Sequence, residues 1–283
     1  MRILGAIASL FLALSFAAEP AAAADRFFTS SDGVVLHYTE AGRGQTLVFV
    51  PGWTMPAWIW DAQISDFARR YHVVAFDPRS QGASAVAPDG HEPGRRGQDI
   101  AELLAQLGPR PVVLVGWSLG VLDTLAYVHA HGDGQLAGLV LVDNSVGEDP
   151  PPSGGGSGVR HPRHMTHEAW MRAFVKSMFH RPPSPAYIDR LTEATLHTPS
   201  SAAAALLSYP VPRTYWRDAV YSVRRPVLYI VRPGLTGQAT NLQAHDDMAE
   251  SVVLRDVGHA MFVDDPAQFD AIVQSFIRRR VWP

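Results

Sequence analysis

The chain has 283 residues, of which 47% are hydrophobic, and its formal net charge at pH 7 is −3. This composition supports one large core with an added subdomain. The nearly balanced charge, without a long block of like charge, gives no reason to expect a nucleic-acid partner, so a small-molecule substrate is the better expectation. Cysteine is absent, which excludes disulfides and the attachment of a lipid to a cysteine.

The first 24 residues have the pattern of a secretory signal peptide. Met1 and Arg2 precede the apolar run 3–18, and residues 21–24 are alanines that offer a small-residue cleavage site. The apolar run is short for a membrane span, and an uncleaved anchor is the alternative. The sequence therefore predicts cleavage near Ala24 or Asp25, a periplasmic or secreted location, and no stable membrane insertion after cleavage.

Strand-like and helix-like segments alternate through the first half of the remaining chain. Short Val- and Leu-rich runs predict strands, and longer segments with helical periodicity predict helices between them. The predicted strands are 34–39, 46–50, 72–76, 111–115 and 139–142, and the predicted helices are 96–107 and 121–131. Continuous apolar strands separated by helices predict an α/β fold, with a mostly parallel central sheet and helices on both faces.

A segment rich in Pro and Gly, residues 148–158, interrupts this alternation. Apolar pairs at helical spacing then predict one helix over 166–179 and another that opens at Ser184 and Pro185. The later elements are a predicted strand at 226–231, a helix at 241–249, a strand at 252–254 and a closing helix at 266–279. These elements divide the chain into a first core part (25–145), a helical lid inserted after the sixth strand (146–222) and a second core part (223–283).

The pentapeptide Gly116-Trp117-Ser118-Leu119-Gly120 directly follows the predicted strand 111–115. A Gly-x-Ser-x-Gly segment between a strand and a helix is typical of a nucleophile elbow, which exposes the serine hydroxyl on a strained turn. The glycines remove Cβ atoms where strand and helix pack closely. Ser118 is therefore the predicted nucleophile, and an ordinary glycine-bounded turn is the alternative.

A serine nucleophile needs a base and donors for the oxyanion that forms. His259 lies between the last predicted strand and the closing helix, so it is the predicted base, which accepts the serine proton and passes it to the leaving group. The backbone N–H groups of Leu119, next to the nucleophile, and of Trp53, after the strand that ends at Val50, are the predicted oxyanion hole. This chemistry needs no metal and no organic cofactor.

From about Ser31 to Ile277, the chain resembles the α/β-hydrolase superfamily, in particular its lidded esterases and cofactor-free haloperoxidases. The resemblance is carried by the elbow 116–120, by Gly258-His259, and by the segment 77–84, which is similar to the family's Asp-x-Arg-Gly-x-Gly-x-Ser turn with Ser80 in place of a glycine. In the family that turn is structural. The resemblance implies an α/β-hydrolase fold and acyl transfer, but it does not separate esters from lactones, thioesters, amides, carbon-carbon bonds or peracids.

Two features depart from the family's pattern. Pro51 stands where the family commonly has His before the oxyanion-hole glycine, a change that leaves both amide donors in place. The usual position of the triad acid, after the penultimate strand, is empty, because residues 232–245 contain no Asp or Glu. The third member of the triad must therefore come from elsewhere.

Asp143, at the end of the predicted strand 139–142, is the predicted triad acid. The resemblance supports this position, because some family members place their acid after the same strand. The alternative is that Asp143 only caps the turn into the lid. Asp256 is a rival acid close to the base, and Asp246 and Asp247, predicted to lie on a helix, are weaker rivals.

Four large side chains are predicted to line the substrate pocket: Trp117, Trp170, Phe174 and Met178. The last three could equally pack the lid onto the body, since any helix over a sheet buries such a stripe. His161, His164 and His167 recur every third residue, but the adjoining Gly/Pro-rich segment makes a rigid metal-binding face a poor interpretation, and they are predicted to lie on the surface.

Together these features predict an exported serine hydrolase that cleaves an ester-type bond of a small, partly apolar substrate through an acyl-enzyme at Ser118. The alternative is a ligand-binding protein that has the same fold without catalysis. It is motivated by the empty acid position and by Pro51.

Overall fold

The computed structural model describes residues 23–151 and 165–283. The predicted signal peptide, apart from its last two residues, and most of the segment rich in Pro and Gly lie outside these ranges, as do His161 and His164. Within the described ranges, no helix combines the length and the apolar character that a membrane span requires.

In the part of the chain that the structure describes, eight strands form a single sheet with the order β1-β2-β4-β3-β5-β6-β7-β8. Their bounds are β1 Ala24–Thr29, β2 Val35–Gly42, β3 Thr46–Val50, β4 His72–Asp77, β5 Val112–Trp117, β6 Leu136–Val142, β7 Val227–Val231 and β8 Ala249–Val253. β2 pairs antiparallel with β1 and with β4, and every later pair is parallel. The predicted α/β-hydrolase fold with a mostly parallel sheet is confirmed.

Helices cover both faces of this sheet. Among the described residues between β6 and β7, where the lid is predicted, there are four helices. The helices are α1 Asp61–Phe67, α2 Pro93–Leu107, α3 Leu119–His131, α4 His167–Ser177, α5 Pro185–Leu196, α6 Ser200–Leu206, α7 Thr214–Ser222, α8 Thr236–His245, α9 Met261–Asp264 and α10 Pro266–Phe276. Thr166 and Ser184 cap the first turns of α4 and α5, each through a side-chain oxygen that accepts a backbone N–H.

The central strands are buried on both faces, which explains their unbroken apolar sequences. In β3, Val48 and Val50 pack into one core cluster with residues of α2 and α3, whereas Leu47 and Phe49 pack into a second cluster with residues of α1 and α10. Because successive side chains of a strand point to opposite faces, one short strand contributes to both halves of the core.

Several elements differ from the sequence prediction. β1, α1, α6, α7 and α9 were not predicted. The helix predicted at 241–249 has the wrong bounds, since α8 spans Thr236–His245 and Ala249 begins β8. Asp246 therefore caps the end of α8 and does not lie within it. β8 is an edge strand with half-exposed polar residues, so its sequence lacks the continuous apolar run of a central strand.

The turn at 77–84 holds the sheet and the neighbouring loops together. Asp77 accepts hydrogen bonds from the ring of His37 (2.7 Å) and from the backbone N–H of Ala83 (2.9 Å). Ser80 has a positive φ of 63°, the conformation that glycine adopts most easily, which gives a physical reason for the glycine in the family's version of this turn. These contacts give the turn a structural role.

Candidate active site

Ser118 lies on a sharp turn between β5 and α3. Its φ of 54° and ψ of −120° are unfavourable for a residue with a side chain, which confirms the predicted strain. A Cβ atom on Gly116 would lie 2.4 Å from the carbonyl oxygen of Gly120, and one on Gly120 would lie 2.3 Å from that of Val50. Both glycines are therefore required for the close packing that supports the turn.

The side chains of Ser118, His259 and Asp143 form one continuous hydrogen-bonded chain. The Nε2 atom of His259 is 2.8 Å from the Ser118 hydroxyl, and its Nδ1 atom is 2.7 Å from Oδ2 of Asp143. An ionised carboxylate can only accept hydrogen bonds, so the Nδ1 atom carries the ring proton of a neutral His259. Nε2 is then the acceptor, and it faces the serine proton.

Asp143 follows β6 directly and adopts a positive φ of 51°. Its side chain is only 1% exposed, and Arg232 binds both carboxylate oxygens: the backbone N–H donates to Oδ1 (2.9 Å) and the Nε–H donates to Oδ2 (2.6 Å). Burial on its own would raise the pKa of the Asp143 carboxyl. The hydrogen bond from His259, the positive charge of its ring in the protonated form and the charge of Arg232 outweigh it and hold that pKa below its ordinary value.

The rival carboxylates do not reach the base in this structure. Asp256 is exposed on the loop before His259, and Asp246 and Asp247 lie in the turn between α8 and β8. Within the described ranges, Asp143 provides the carboxylate that contacts His259. Its position at the carboxyl end of β6 makes this contact possible, because the ends of neighbouring parallel strands meet at one edge of the sheet.

The loop that carries His259 is supported from below by Trp117. The indole N–H of Trp117 donates to the carbonyl oxygen of His259 (2.8 Å), and the two rings lie 5.2 Å apart between centroids. Trp117 is 1% exposed and packs against Trp60 and Phe262 in the core. Its side chain therefore supports the base from the core side, although it is one of the predicted pocket residues.

The same loop is joined to the C-terminal end of the lid helix α4. The N–H of Ala260 donates to the carbonyl oxygen of Met178 (2.9 Å), and a Cβ atom on Gly258 would lie 2.4 Å from that oxygen. The Asp264 carboxylate accepts hydrogen bonds from the N–H of Gly258 (2.6 Å) and of His180 (2.9 Å). The residues on both sides of His259 are thus held by the lid as well as by the core.

Neither of the two predicted oxyanion-hole amides, those of Leu119 and Trp53, has a hydrogen-bond acceptor among the described residues. Leu119 begins α3, so its N–H has no acceptor within the helix, and the N–H of Trp53 donates to no acceptor in the part of the chain that the structure describes. A Cβ atom on Gly52 would be 3.0 Å from the Cβ atom of Ser118, so the loop before Trp53 passes directly against the nucleophile.

The indole of Trp53 extends into the lid. Its Nε1–H donates to the carbonyl oxygen of Ala203 in α6 (2.7 Å), and its ring makes edge-to-face contacts with Phe174 and Trp170 of α4, at centroid distances of 5.1 and 5.9 Å. Phe174 and Trp170 are half-buried, whereas Met178 is buried in the core. Two of the predicted pocket residues, Trp170 and Phe174, therefore contact Trp53, whose amide is a predicted oxyanion donor. Met178 packs in the core, as in the alternative interpretation.

The described ranges hold no group of three or more His, Asp or Glu side chains that could bind a metal ion. His167 lies at the start of α4, whereas His161 and His164, the other two histidines of this spacing, lie outside the described residues.

Sequence reasoning missed two polar residues of this site. Asn144 donates from its side-chain amide to the carbonyl oxygen of Ser118 (2.8 Å) and so helps to fix the strained elbow. Arg232 holds Asp143, as described above. Its position directly after the penultimate strand, where the family usually has its acid, is the signal that could have identified it.

Comparison with known proteins identifies the protein family whose sequences this chain resembles. Residues 47–272 match the model of the Alpha/beta hydrolase family. A non-heme haloperoxidase from Rhodococcus erythropolis is 38% identical over 126 residues, which cover 44% of either chain. The bifunctional esterase/perhydrolase DCH from Acinetobacter calcoaceticus is 32% identical over 119 residues, or 41% of this chain and 43% of that one. Each of these matches therefore spans less than half the length of the relative.

A solved structure covers far more of the chain. The esterase RhEst1 from Rhodococcus sp. ECU1013 superposes with a TM-score of 0.77 and 25% sequence identity, over 90% of this chain and 99% of that chain. The similarity in fold therefore includes the lid region as well as the sheet.

Proposed function

The chain belongs to the α/β-hydrolase family, and on that basis we propose that it is an exported serine hydrolase that cleaves an ester-type bond of a small, partly apolar substrate. The observation that carries this proposal is the hydrogen-bonded chain from Ser118 through His259 to Asp143, with Ser118 on a strained elbow. A serine in this arrangement has its proton acceptor in place and its oxygen exposed.

The proposed reaction begins when the Ser118 oxygen attacks the carbonyl carbon of the ester and His259 takes the hydroxyl proton at Nε2. The oxyanion of the tetrahedral intermediate accepts hydrogen bonds from the N–H groups of Trp53 and Leu119. His259 then gives the proton to the departing alcohol, which leaves an acyl group on Ser118. Asp143 holds the ring in the required tautomer and stabilises the imidazolium.

In the second half of the proposed reaction, a water molecule takes the place of the alcohol. His259 removes a proton from this water, and the hydroxide attacks the acyl carbon while the same two amides stabilise the oxyanion. Collapse of this intermediate returns the proton to Ser118 and releases the acid. No other group has to enter the cycle, so the chain's own residues account for every proton transfer.

The half-buried aromatic rings of Trp170 and Phe174, next to Trp53, support a partly apolar substrate. A panel of esters that differ in acyl and alcohol size tests this part of the proposal. The name of the Acinetobacter relative includes perhydrolase, so the same panel should include hydrogen peroxide as a competing acceptor of the acyl group.

The structure gives less reason to prefer the alternative, a ligand-binding protein without catalysis. That alternative depended on an empty acid position and on Pro51. Asp143 contacts His259 from the end of β6, and Pro51 leaves the backbone N–H groups of Trp53 and Leu119 in place. We find no observation that favours it over hydrolysis.

The decisive experiment is intact-mass analysis after incubation with a fluorophosphonate probe. The wild type should gain one adduct, Ser118→Ala should gain none, and the matched control Ser145→Ala should react like the wild type. Ser145 lies near the site, but its hydroxyl donates to Gln238 (3.0 Å) and does not contact the base. An adduct that persists in Ser118→Ala would refute the assignment of the nucleophile.

Export is tested separately by expressing the full chain in a bacterial host and measuring the mass of the protein recovered from the periplasm and medium. A mass that corresponds to a chain beginning near Ala24 or Asp25 is expected. A full-length chain retained in the membrane fraction would contradict the proposed processing.

A further inference from the structure

Arg232 occupies the position after β7 where the family usually carries the triad acid. Its side chain is positively charged, whereas the acid usually found there is negatively charged. Its backbone N–H is 2.9 Å from Oδ1 of Asp143, and its Nε is 2.6 Å from Oδ2. The Nδ1 atom of His259 shares Oδ2 with this side chain. One residue therefore binds both oxygens of the carboxylate that orients the base.

We propose that Arg232 is a positioning residue for the reaction: it holds the Asp143 carboxylate in the orientation that directs Oδ2 at His259. A carboxylate at the end of β6 can then orient the base, which in the family is usually oriented by a carboxylate at the end of β7. The inference rests on the proposed function, since a positioning role has meaning only if Ser118 and His259 carry out the chemistry. It concerns a residue that acts through Asp143 and does not touch the substrate.

The need for such a residue follows from the freedom of the carboxyl group. Rotation about the terminal bond of an aspartate is soft, because an sp³–sp² torsion has broad minima. A single hydrogen bond to His259 would leave this rotation poorly defined. Two bonds from Arg232, one to each oxygen and one of them from the rigid backbone, fix the plane of the carboxylate.

The surroundings of Asp143 supply no substitute for these bonds. The carboxylate is 1% exposed, so water has little access to it, and its donors within the described ranges are His259 and the two N–H groups of Arg232. β7 also holds Asn144, the residue after Asp143, because the hydroxyl of Tyr229 donates to the carbonyl oxygen of Asn144 (2.7 Å). The end of β7 thus anchors the turn that carries the acid.

The guanidinium also balances the charge of the buried acid. A buried carboxylate is stable only when it is paired and hydrogen-bonded. The Arg232 side chain is 42% exposed, so its distal nitrogens remain solvated while its Nε–H reaches inward to Asp143. This arrangement lets a charged partner contact Asp143 without the desolvation of a whole guanidinium group.

The experiment compares steady-state kinetics of Arg232→Gln with the wild type on one reactive ester. We expect kcat to fall about tenfold, the size of effect typical for a lost charge-assisted hydrogen bond, while KM changes by less than about twofold. Arg225→Gln is the matched control, because Arg225 lies just before β7, is similarly exposed and also faces an aspartate, Asp133. Its kcat should equal that of the wild type.

A double-mutant cycle with Asp143→Asn separates positioning from an independent role. If Arg232 acts through Asp143, Arg232→Gln should lower kcat by less than about twofold in the Asp143→Asn background. An equal tenfold loss in both backgrounds, or a change confined to KM, would overturn the inference. Either result would mean that Arg232 acts on the substrate or on another group.

Arg232→Lys keeps the inference testable if Arg232→Gln does not fold. Lysine has a methylene group where arginine has Nε, so it keeps the charge and the backbone bond but loses the Nε–H donor. We expect a severalfold lower kcat, and a kcat equal to the wild type would overturn the inference. Turnover that survives Ser118→Ala would instead refute the proposed function, so the two failures are distinguishable.

Discussion

Replacing Asp143 by Asn tests the proposed triad most directly, because it changes the hydrogen-bonding character of one buried group and keeps its shape. The wild-type carboxylate accepts from His259 and Arg232 at Oδ2 and from the Arg232 backbone at Oδ1. All of these partners are donors. An asparagine side chain offers one acceptor and one donor, so it cannot satisfy both positions.

The two possible orientations of the new amide both predict a large loss. If the NH2 group takes the place of Oδ2, it faces two donors, and His259 must adopt the tautomer with its proton on Nε2, where it can no longer accept the Ser118 proton. If the NH2 group takes the place of Oδ1, it faces the backbone N–H of Arg232, and the His259 imidazolium loses its counter-charge. We expect kcat to fall by about 10³–10⁴-fold, the effect of the same change in a serine protease triad.

The assay is initial-rate hydrolysis of a chromogenic ester, with thermal unfolding recorded for each variant to confirm that it is folded. Asp256→Asn is the control, because Asp256 is the rival acid on the same loop as His259 but is exposed. It should retain activity within about twofold of the wild type. A nearly active Asp143→Asn enzyme together with an inactive Asp256→Asn enzyme would refute the assignment of the acid.

Two further predictions concern the support of the site and its pH dependence. Gly258→Ala should lower both kcat and the free energy of unfolding, the latter by about 1–3 kcal/mol, because the new Cβ atom would lie 2.4 Å from the Met178 carbonyl oxygen. In the control Gly234→Ala the new Cβ atom has no heavy atom within 4 Å, so kcat and the free energy of unfolding should stay at the wild-type values. Equal values of kcat and of the free energy of unfolding in the two variants would contradict the clash. Burial raises the pKa of Asp270 to about 6 against a hydrogen bond from Gln63. The folded state then binds the proton more tightly than the unfolded state, so the free energy of unfolding should fall by up to about 3 kcal/mol as the pH rises from about 4 to about 6. Denaturant titrations should show this slope reduced in Asp270→Asn, and an unchanged slope would exclude Asp270 as its source.

The sheet and the elbow could be predicted because their sequences are shaped by strong local constraints. β3 and β5 are buried on both faces and therefore read as continuous apolar runs, and the glycines around Ser118 are the residues that the close packing of β5 and α3 requires. The edge of the sheet was harder to predict. β8 is half-exposed and contains Glu250 and Ser251, so neither alternation nor an apolar run marks it as a strand.

The polar support of the site depends on contacts between distant parts of the chain. Arg232 and Asp143 are 89 residues apart, and Asn144 and Ser118 are 26 apart. The position of Arg232 after the penultimate strand marks the residue, but the local sequence does not indicate which residue it contacts, because the sheet order alone brings the ends of β5, β6 and β7 together. The chemistry of the site could therefore be inferred from residue types, whereas its supporting contacts required the structure.

The hydrogen bonds between the loop of His259 and the end of α4 connect access to the site with catalysis. Displacing that end of the lid would break the bond from Ala260 to Met178 and pull on Gly258 through Asp264. A ligand whose binding displaced the end of α4 at Met178 would therefore disturb His259, the base that its own hydrolysis requires. We therefore expect this enzyme to process only substrates that fit without moving α4 at Met178.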